Sequence, residues 1–228
     1  MSIERIAIIV AGGTGQRMGA STPKQFLPLG GEPVLMRTLR AFAYIEPAIR
    51  LVLVLPAAHE EQWQNLCAQH NFSVTHTVVH GGAERFHSVR NGLQHVPNSP
   101  NALVAVHDAV RPLIEPMLIA TAYDMAQRHG AAVPVVPPVD SVRVLLDNGH
   151  TQAVERNRVL LVQTPQTFRA DLLLSAYAQP YSPHFTDDAS VVEAAGIGIT
   201  TFAGQASNIK LTTPYDMAVA EYLIKHSM

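Results

Sequence analysis

The chain has 228 residues, of which 47% are hydrophobic and 15% are charged, which is enough apolar material for a full core. Its formal net charge is −2, so it has no global basic field to attract nucleic acid. The chain has no apolar run of about 18 residues, the length that crosses a membrane, and no basic segment followed by a long apolar run at its start. We therefore expect one cytoplasmic domain over residues 1–228, with neither nucleic acid nor a membrane as partner.

A glycine-rich segment follows the first predicted strand, which is the apolar run at 6–10. Residues 10–19 read VAGGTGQRMG, and PKQF follows at 23–26. Glycine has no Cβ, so backbone N–H groups here can approach phosphate oxygens, and Arg17 and Lys24 add positive charge. The segment is typical of a loop that binds a triphosphate.

Two commoner glycine loops do not fit this segment. A Walker A loop needs a Gly-Lys pair, which the chain lacks. A dinucleotide fingerprint counted from Gly13 and Gly15 requires a third glycine where Met18 stands. A flexible glycine-rich turn with two solvated cations remains the alternative.

Short apolar runs alternate with amphipathic segments along the chain. Helical spacing at 34–44 and 59–69 predicts two helices. Further strands are predicted at 51–55, 74–79, 102–106 and 131–136. This order predicts an α/β fold, a Rossmann-like and mostly parallel sheet with helices on both faces. Loops at the carboxyl edge of such a sheet bind ligands, so we expect the Gly12 loop, Gly81-Gly82 and His107-Asp108 to meet in one cleft.

The alternation breaks at 139–162, where we predict a projecting β-arm. Residues 140–146 alternate polar and apolar, 147–149 read as a hairpin turn, and 151–162 could return as a second strand. A two-stranded hairpin is marginally stable alone in water. Its apolar side chains therefore need a partner surface, and a second subunit is the simplest one; these side chains are Val142, Val144 and Leu146.

Six separated motifs carry a resemblance that covers nearly the whole chain. They are AGGTGQRMG with PKQ, GGAER with Ser88, HDAVRP at 107–112, QTPQ at 163–166, TDDAS at 186–190 and NIK at 208–210. In this order they resemble the 2-C-methyl-D-erythritol 4-phosphate cytidylyltransferase family. The resemblance implies transfer of CMP from CTP to methylerythritol phosphate, with Mg²⁺ or another divalent cation, by a homodimer whose arm clasps the partner.

The resemblance also implies roles for individual residues. It implies that the α-phosphate of CTP and the transition state are contacted by Arg17, Lys24 and Lys210. The CTP-binding residues are Ala11, Gly12, Gly13, Gly15, Gly82, Ala83, Ser88 and Asp108. The residues for the acceptor substrate are Asp108, Arg111, Ser141, Arg156 and Thr164. Asp108 is also the candidate ligand for a metal held mainly by the CTP phosphates, and Arg156 reaches the site of the opposite subunit.

Some positions depart from the family or have simpler interpretations. The family often has Asp at Ala83 and Thr at Ser141. Ser88 could be an ordinary early-helix serine, and Asp108 could form only a local ion pair with Arg111. The segment at 186–190 is interpreted first as a helix start, capped by Asp or Thr.

Two alternative functions stay open at this point. A sister family, ribitol-5-phosphate cytidylyltransferase, shares the first loop and HDAVRP, although the segment at 154–157 favours the methylerythritol enzyme. The second alternative is a non-catalytic nucleotide-binding module, which would not need Arg17, Lys24 and Lys210 together.

Overall fold

The computed structural model describes residues 3–12 and 22–226. The strands in these ranges are β1 (Glu4–Val10), β2 (Pro28–Leu29), β3 (Glu32–Pro33), β4 (Ile49–Leu55), β5 (Thr77–His80), β6 (Ala102–Asp108), β7 (Ala131–Val136), β8 (Val142–Leu145), β9 (Thr151–Val154), β10 (Leu161–Val162), β11 (Gln166–Arg169) and β12 (Thr200–Ala203). The α-helices are α1 (Val34–Ala43), α2 (Glu60–Gln69), α3 (Arg85–Leu93), α4 (Pro116–His129), α5 (Ala170–Ala176), α6 (Asp188–Ala194) and α7 (Pro214–His226). Short 3₁₀ helices lie at Lys24–Phe26, Ala57–His59 and Arg156–Arg158. None of the described helices is both long and apolar enough to cross a membrane.

The main sheet is mixed but mostly parallel, as predicted. Strand β1 lies between β4 and β6 and is parallel to both, and β5 continues the parallel order beyond β4. On the other side of β6, strand β11 runs antiparallel to both β6 and β7. Strand β12 pairs in parallel with the far edge of β7. The parallel half therefore places the carboxyl ends of β1, β4, β5 and β6 at one edge of the sheet.

Helices cover both faces of the sheet, which confirms that prediction. Successive residues of a strand point to opposite faces, and the apolar residues of β1 divide accordingly. Ala7 and Ile9 pack with α1, α2 and α4, whereas Ile6 and Ile8 pack with α3, α5 and α6. Because every one of these four side chains is inaccessible to solvent, both faces of the central strand are core.

Several predicted strand boundaries were wrong, and β1 and β4 each begin two residues earlier than expected. The strand expected at 74–79 lies at Thr77–His80, because pairing with β4 starts only at Thr77. Before it, the His76 ring contacts the Val74 carbonyl and accepts a hydrogen bond from the Trp63 indole N–H. The strand expected at 102–106 continues to Asp108. His107 and Asp108 are therefore the last two residues of β6, and the rigid sheet itself positions them.

The β-arm is present as a separate two-stranded sheet of β8 and β9. The predicted turn closes it: Gly149 has a φ of +79°, and the Leu146 N–H donates to the His150 carbonyl at 2.8 Å. The returning strand was predicted to reach 162, which is wrong beyond Val154. The chain instead turns through a 3₁₀ helix, and β10 then joins the edge of β7.

Candidate active site

Three predicted loops meet at the carboxyl edge of the parallel strands, as expected. The Ala11 N–H donates to the carbonyl of Val54 at the end of β4, and the Gly81 N–H donates to Leu55 beside it. Asp108 ends β6 next to Val10 of β1. The loops enclose a cavity of about 340 Å³, within the usual range for small-molecule sites. It is lined by Val10, Ala11, Gly12, Lys24, Gln25, Gly82, Ala83, Glu84, Arg85, Ser88, Asp108, Val110 and Lys210.

The PKQF segment presents Lys24 to this cavity from a fixed turn. The Gln25 side-chain amide donates to the Ala11 carbonyl at 3.1 Å, which ties the turn to the start of the glycine loop. Phe26 is buried and stacks on Trp63 of α2, with ring centroids 6.2 Å apart. Gln25 and Phe26 therefore anchor the turn directly after Lys24. Three other predicted residues, Gly13, Gly15 and Arg17, lie outside the described residues.

The loop at 81–88, which is the predicted nucleotide loop, is closed by Ser88. The Gly82 N–H donates to the Ser88 Oγ at 3.1 Å, across the start of α3. A Cβ at Gly82 would collide with the side chain of His87 and lie 3.1 Å from its carbonyl carbon. Glycine is therefore required here by close approach of the loop to the helix, and Ser88 has a structural role whether or not it also reads a base.

Asp108 lies among three cations at the inner wall of the cavity. Its carboxylate is 3.0 Å from the Lys210 Nζ, 3.3 Å from the Arg111 Nε and 3.9 Å from the Arg85 Nε. Burial alone raises the pKa of Asp108, but the charges of Arg85, Lys210 and Arg111 outweigh it and hold that pKa well below its usual range. Asp108 is therefore ionised and orients the cations around it.

A second cavity adjoins the first. It is lined by Arg85, Asp108, Arg111, Val162, Gln163, Thr164, Gln166, Thr186, Asp187 and Lys210. Arg85, Asp108 and Lys210 line both cavities. Ligands in the two cavities would therefore meet across these charged side chains.

The QTPQ motif holds three segments of the second cavity together. The Gln163 side chain bonds to both the backbone N–H and the carbonyl of Gln205. Thr164 Oγ1 accepts the Asp108 N–H at 3.1 Å. Gln166 accepts the Ala189 N–H at the start of α6. From the sequence we assigned only Thr164, as a substrate contact, and missed that the motif is a junction between distant segments.

Lys210 is positioned by buried backbone contacts. The Arg111 guanidinium donates to the carbonyl of Asn208 at 2.8 Å, and the Asn208 side chain donates to the Thr164 carbonyl at 2.8 Å. The Leu211 N–H donates to the Val110 carbonyl. These bonds fix the residues on either side of Lys210 against the turn after β6.

Arg85 is a site residue that we did not assign from the sequence. Its guanidinium binds the Asp188 carboxylate with two hydrogen bonds, of 2.9 and 2.6 Å, and the Tyr177 hydroxyl donates to the same carboxylate. The predicted helix start is confirmed, since Asp187 caps α6 through the Ser190 N–H. Asp188, directly after this cap, is fully buried.

The structure leaves the two predicted arm residues apart from these cavities. Ser141 and Arg156 are exposed, and the Arg156 guanidinium donates to the Val139 carbonyl at the base of the arm. Neither residue is among those that line the two cavities. The assignment of these two residues to the acceptor substrate therefore stays a prediction.

The parallel half-sheet, the glycine-rich segment that starts at the carboxyl end of β1 and the two cation-lined cavities define the Rossmann-like nucleotidyltransferase class. A sequence model of 2-C-methyl-D-erythritol 4-phosphate cytidylyltransferase, IspD, matches residues 5–226. The chain belongs to this family.

Relatives and solved structures agree with that assignment. The chain is 52% identical to the 2-C-methyl-D-erythritol 4-phosphate cytidylyltransferase of Porphyromonas gingivalis, over 98% of this chain and 99% of that protein. It is 48% identical to the enzyme of the same name from Bacteroides thetaiotaomicron, over 97% and 100% of the two chains. The crystal structure of the Thermus thermophilus enzyme superposes with a TM-score of 0.77 at 32% identity, covering 99% and 100%.

Proposed function

We propose that this chain transfers CMP from CTP to 2-C-methyl-D-erythritol 4-phosphate at the junction of the two cavities. The activity is that of its family, a step of non-mevalonate isoprenoid precursor biosynthesis. One observation supports its placement here: Lys210 and Asp108 line both cavities. A nucleotide in the first cavity and an acceptor phosphate in the second would then lie against the same charged wall.

The first cavity is the proposed CTP site. Ala11 and Gly12 begin the phosphate loop, which Gly13 and Gly15 would continue with backbone N–H groups. The small residues Gly82 and Ala83, with Ser88 behind them, border the space assigned to the base. Lys24 lines this cavity on the side of the phosphate loop, which suits a contact to the triphosphate.

The second cavity is the proposed acceptor site. Arg111 brings a planar guanidinium that suits a phosphate, and Asp108 and Thr164 bring oxygens that can accept hydrogen bonds from substrate hydroxyls. Ser141 and Arg156 would complete the site from the arm of a second subunit. Four exposed apolar side chains support an arm that packs on a partner; they are Val144, Leu145, Leu146 and Leu160.

The reaction needs charge stabilisation more than acid–base catalysis. A phosphomonoester has a second pKa of about 6, so near neutral pH the acceptor phosphate is already a dianionic nucleophile. Its oxygen attacks the α-phosphorus of CTP, and pyrophosphate leaves. Lys24, Lys210 and Arg17 would hold the negative charge that builds on the transferring phosphorus.

Asp108 is the protein ligand that we assign to a divalent cation at this site. The described residues contain no cluster of three or more His, Cys, Asp or Glu that could hold a metal. The ionised Asp108 can supply one ligand, and phosphate oxygens and water would supply the rest. This set of ligands is common for Mg²⁺ in proteins. When bound, the cation would neutralise phosphate charge.

Titration calorimetry with CTP tests the assignment of the first cavity. Gly82→Ala forces the nucleotide loop away from His87, so CTP should bind at least about tenfold more weakly, the effect of losing one or two hydrogen bonds. The matched control is Gly198→Ala, because a Cβ there meets nothing within 4 Å. Equal CTP affinity in Gly82→Ala and wild type would show that the cytosine base does not bind at this loop.

A further inference from the structure

We propose that His107 is a positioning residue for the acceptor: its ring, through Thr164 and the Arg111 carbonyl, sets the turn that carries Asp108 and Arg111. The inference rests on the proposed acceptor site, to which it adds a residue that touches neither substrate. His107 has no exposed surface and packs against Phe42, with ring centroids 4.9 Å apart.

Both ring nitrogens of His107 have partners in the turn. Nε2 lies 3.1 Å from the carbonyl oxygen of Arg111, which can only accept, so Nε2 carries a proton. Nδ1 lies 3.0 Å from Thr164 Oγ1. The single proton of a neutral imidazole is then on Nε2, which leaves Nδ1 as an acceptor for the Thr164 hydroxyl.

The hydrogen bonds then run in one direction. The Asp108 N–H donates to Thr164 Oγ1, the Thr164 O–H donates to His107 Nδ1, and the His107 Nε2–H donates to the Arg111 carbonyl. The Arg111 N–H closes the turn on the Asp108 carbonyl at 3.1 Å. His107 thus joins both ends of the segment from Asp108 to Arg111, whose side chains meet at the junction of the cavities.

This arrangement also restricts what Thr164 can offer a substrate. A hydroxyl has one proton and two lone pairs; here the proton goes to His107 and one lone pair to the Asp108 N–H. What remains is a single acceptor position. Thr164 would therefore select a hydroxyl of the acceptor alcohol, which donates, and not its phosphate, which at neutral pH only accepts.

The proton positions can be measured directly in the unmodified protein. Long-range ¹⁵N–¹H correlation spectra distinguish the two neutral tautomers of a histidine ring, and His107→Gln assigns the signals. We expect the pattern of a ring protonated at Nε2 only. A ring protonated at Nδ1, alone or together with Nε2, would overturn the proposal, and this result does not depend on turnover.

Kinetics of variants test the consequence for the acceptor. Thr164→Val should raise KM for methylerythritol phosphate about tenfold, the effect of one lost hydrogen bond, with KM for CTP changed less than about twofold. Thr164→Ser restores the hydroxyl and should recover most of this loss. The control is Thr167→Val, because the buried Thr167 hydroxyl has no hydrogen-bond partner among the described residues.

A double-mutant cycle decides whether His107 acts through Thr164. Gln at 107 can still donate to the Arg111 carbonyl but does not place an acceptor where Nδ1 was, so His107→Gln should raise KM for the acceptor as Thr164→Val does. The double variant should be no worse than Thr164→Val alone, since that substitution already removes the hydrogen bond to His107 that His107→Gln breaks. Independent, multiplying effects on KM would show that His107 does not act through Thr164, and equal effects on KM for both substrates would reduce its role to general stability.

Discussion

The Arg85 guanidinium joins α3 to α6 by two hydrogen bonds to the Asp188 carboxylate, an acid 103 residues further along the chain. Burial opposes the charge on Arg85, but the Asp188 charge and hydrogen bonds outweigh it and raise the pKa of Arg85. The pair lies beside Asp108, so it links the nucleotide loop to the wall of the second cavity.

Arg85→Ala should destabilise the protein strongly, because it leaves the Asp188 carboxylate buried with one remaining side-chain donor, Tyr177. Removing one partner of a fully buried pair costs about 3–5 kcal/mol, and the 29% exposure of the Arg85 side chain places this variant at or below the lower end of that range. The matched control is Arg50→Ala, which breaks an ion pair with Glu4 in which both side chains are more than 40% exposed; it should cost less than about 1 kcal/mol. Urea unfolding measures the loss of stability in both variants. Equal losses would show that the Arg85–Asp188 pair contributes no more to stability than an exposed ion pair.

Lys24→Ala should lower kcat about 10²-fold or more while the fold survives, because one strong electrostatic contact to the transition state is lost. Lys225→Ala is the matched control, since Lys225 is exposed in the last turn of α7. Steady-state pyrophosphate release and a thermal melt measure activity and folding together. A kcat within about twofold of wild type would place Lys24 outside the catalytic machinery.

We expect the stability of the free protein to decrease as the pH is lowered, in part because of His107. Burial lowers the pKa of His107 from 6.5 to about 4. Between these values the unfolded chain binds a proton that the folded chain does not, so stability decreases as pH falls from about 6.5 toward about 4. At pH 5.5 this one group should cost about 1 kcal/mol relative to pH 7.5.

Comparison with His107→Gln isolates this contribution, because the other histidines titrate in both proteins. Urea unfolding at pH 7.5 and at pH 5.5 should show a smaller loss of stability in the variant. The expectation is wrong if both proteins lose the same free energy between the two pH values.

Mixing two inactive variants tests the proposed arm. If Arg156 serves the opposite subunit, a dimer of one Arg156→Ala chain and one Asp108→Ala chain has one site with both lesions and one with neither. Activity should then return toward half that of a wild-type dimer. A mixture of Lys24→Ala and Asp108→Ala is the control, because every mixed site then carries one lesion. With subunit exchange verified, no recovery in the first mixture would assign Arg156 to its own chain.

Sequence reasoning located the cleft because strand order alone places the loops after β1, β5 and β6 at one edge of a parallel sheet. It did not find Arg85–Asp188, since an ion pair between distant elements leaves no periodic signal. It also did not find that β6 continues through His107, because a histidine at the end of an apolar run resembles the start of a loop. The Gln163 and Gln166 contacts were missed because they depend on which backbone groups the finished fold leaves open.

Parallel turnover assays with two acceptors test the central claim most directly. Wild-type protein with Mg²⁺ and CTP should release pyrophosphate with methylerythritol phosphate and form the cytidine diphosphate alcohol, identified by mass and by ³¹P NMR. Ribitol 5-phosphate, and UTP in place of CTP, should give much lower kcat/KM, because buried polar groups are left unpaired. A preference for ribitol 5-phosphate, or no turnover with any acceptor despite CTP binding, would contradict the account.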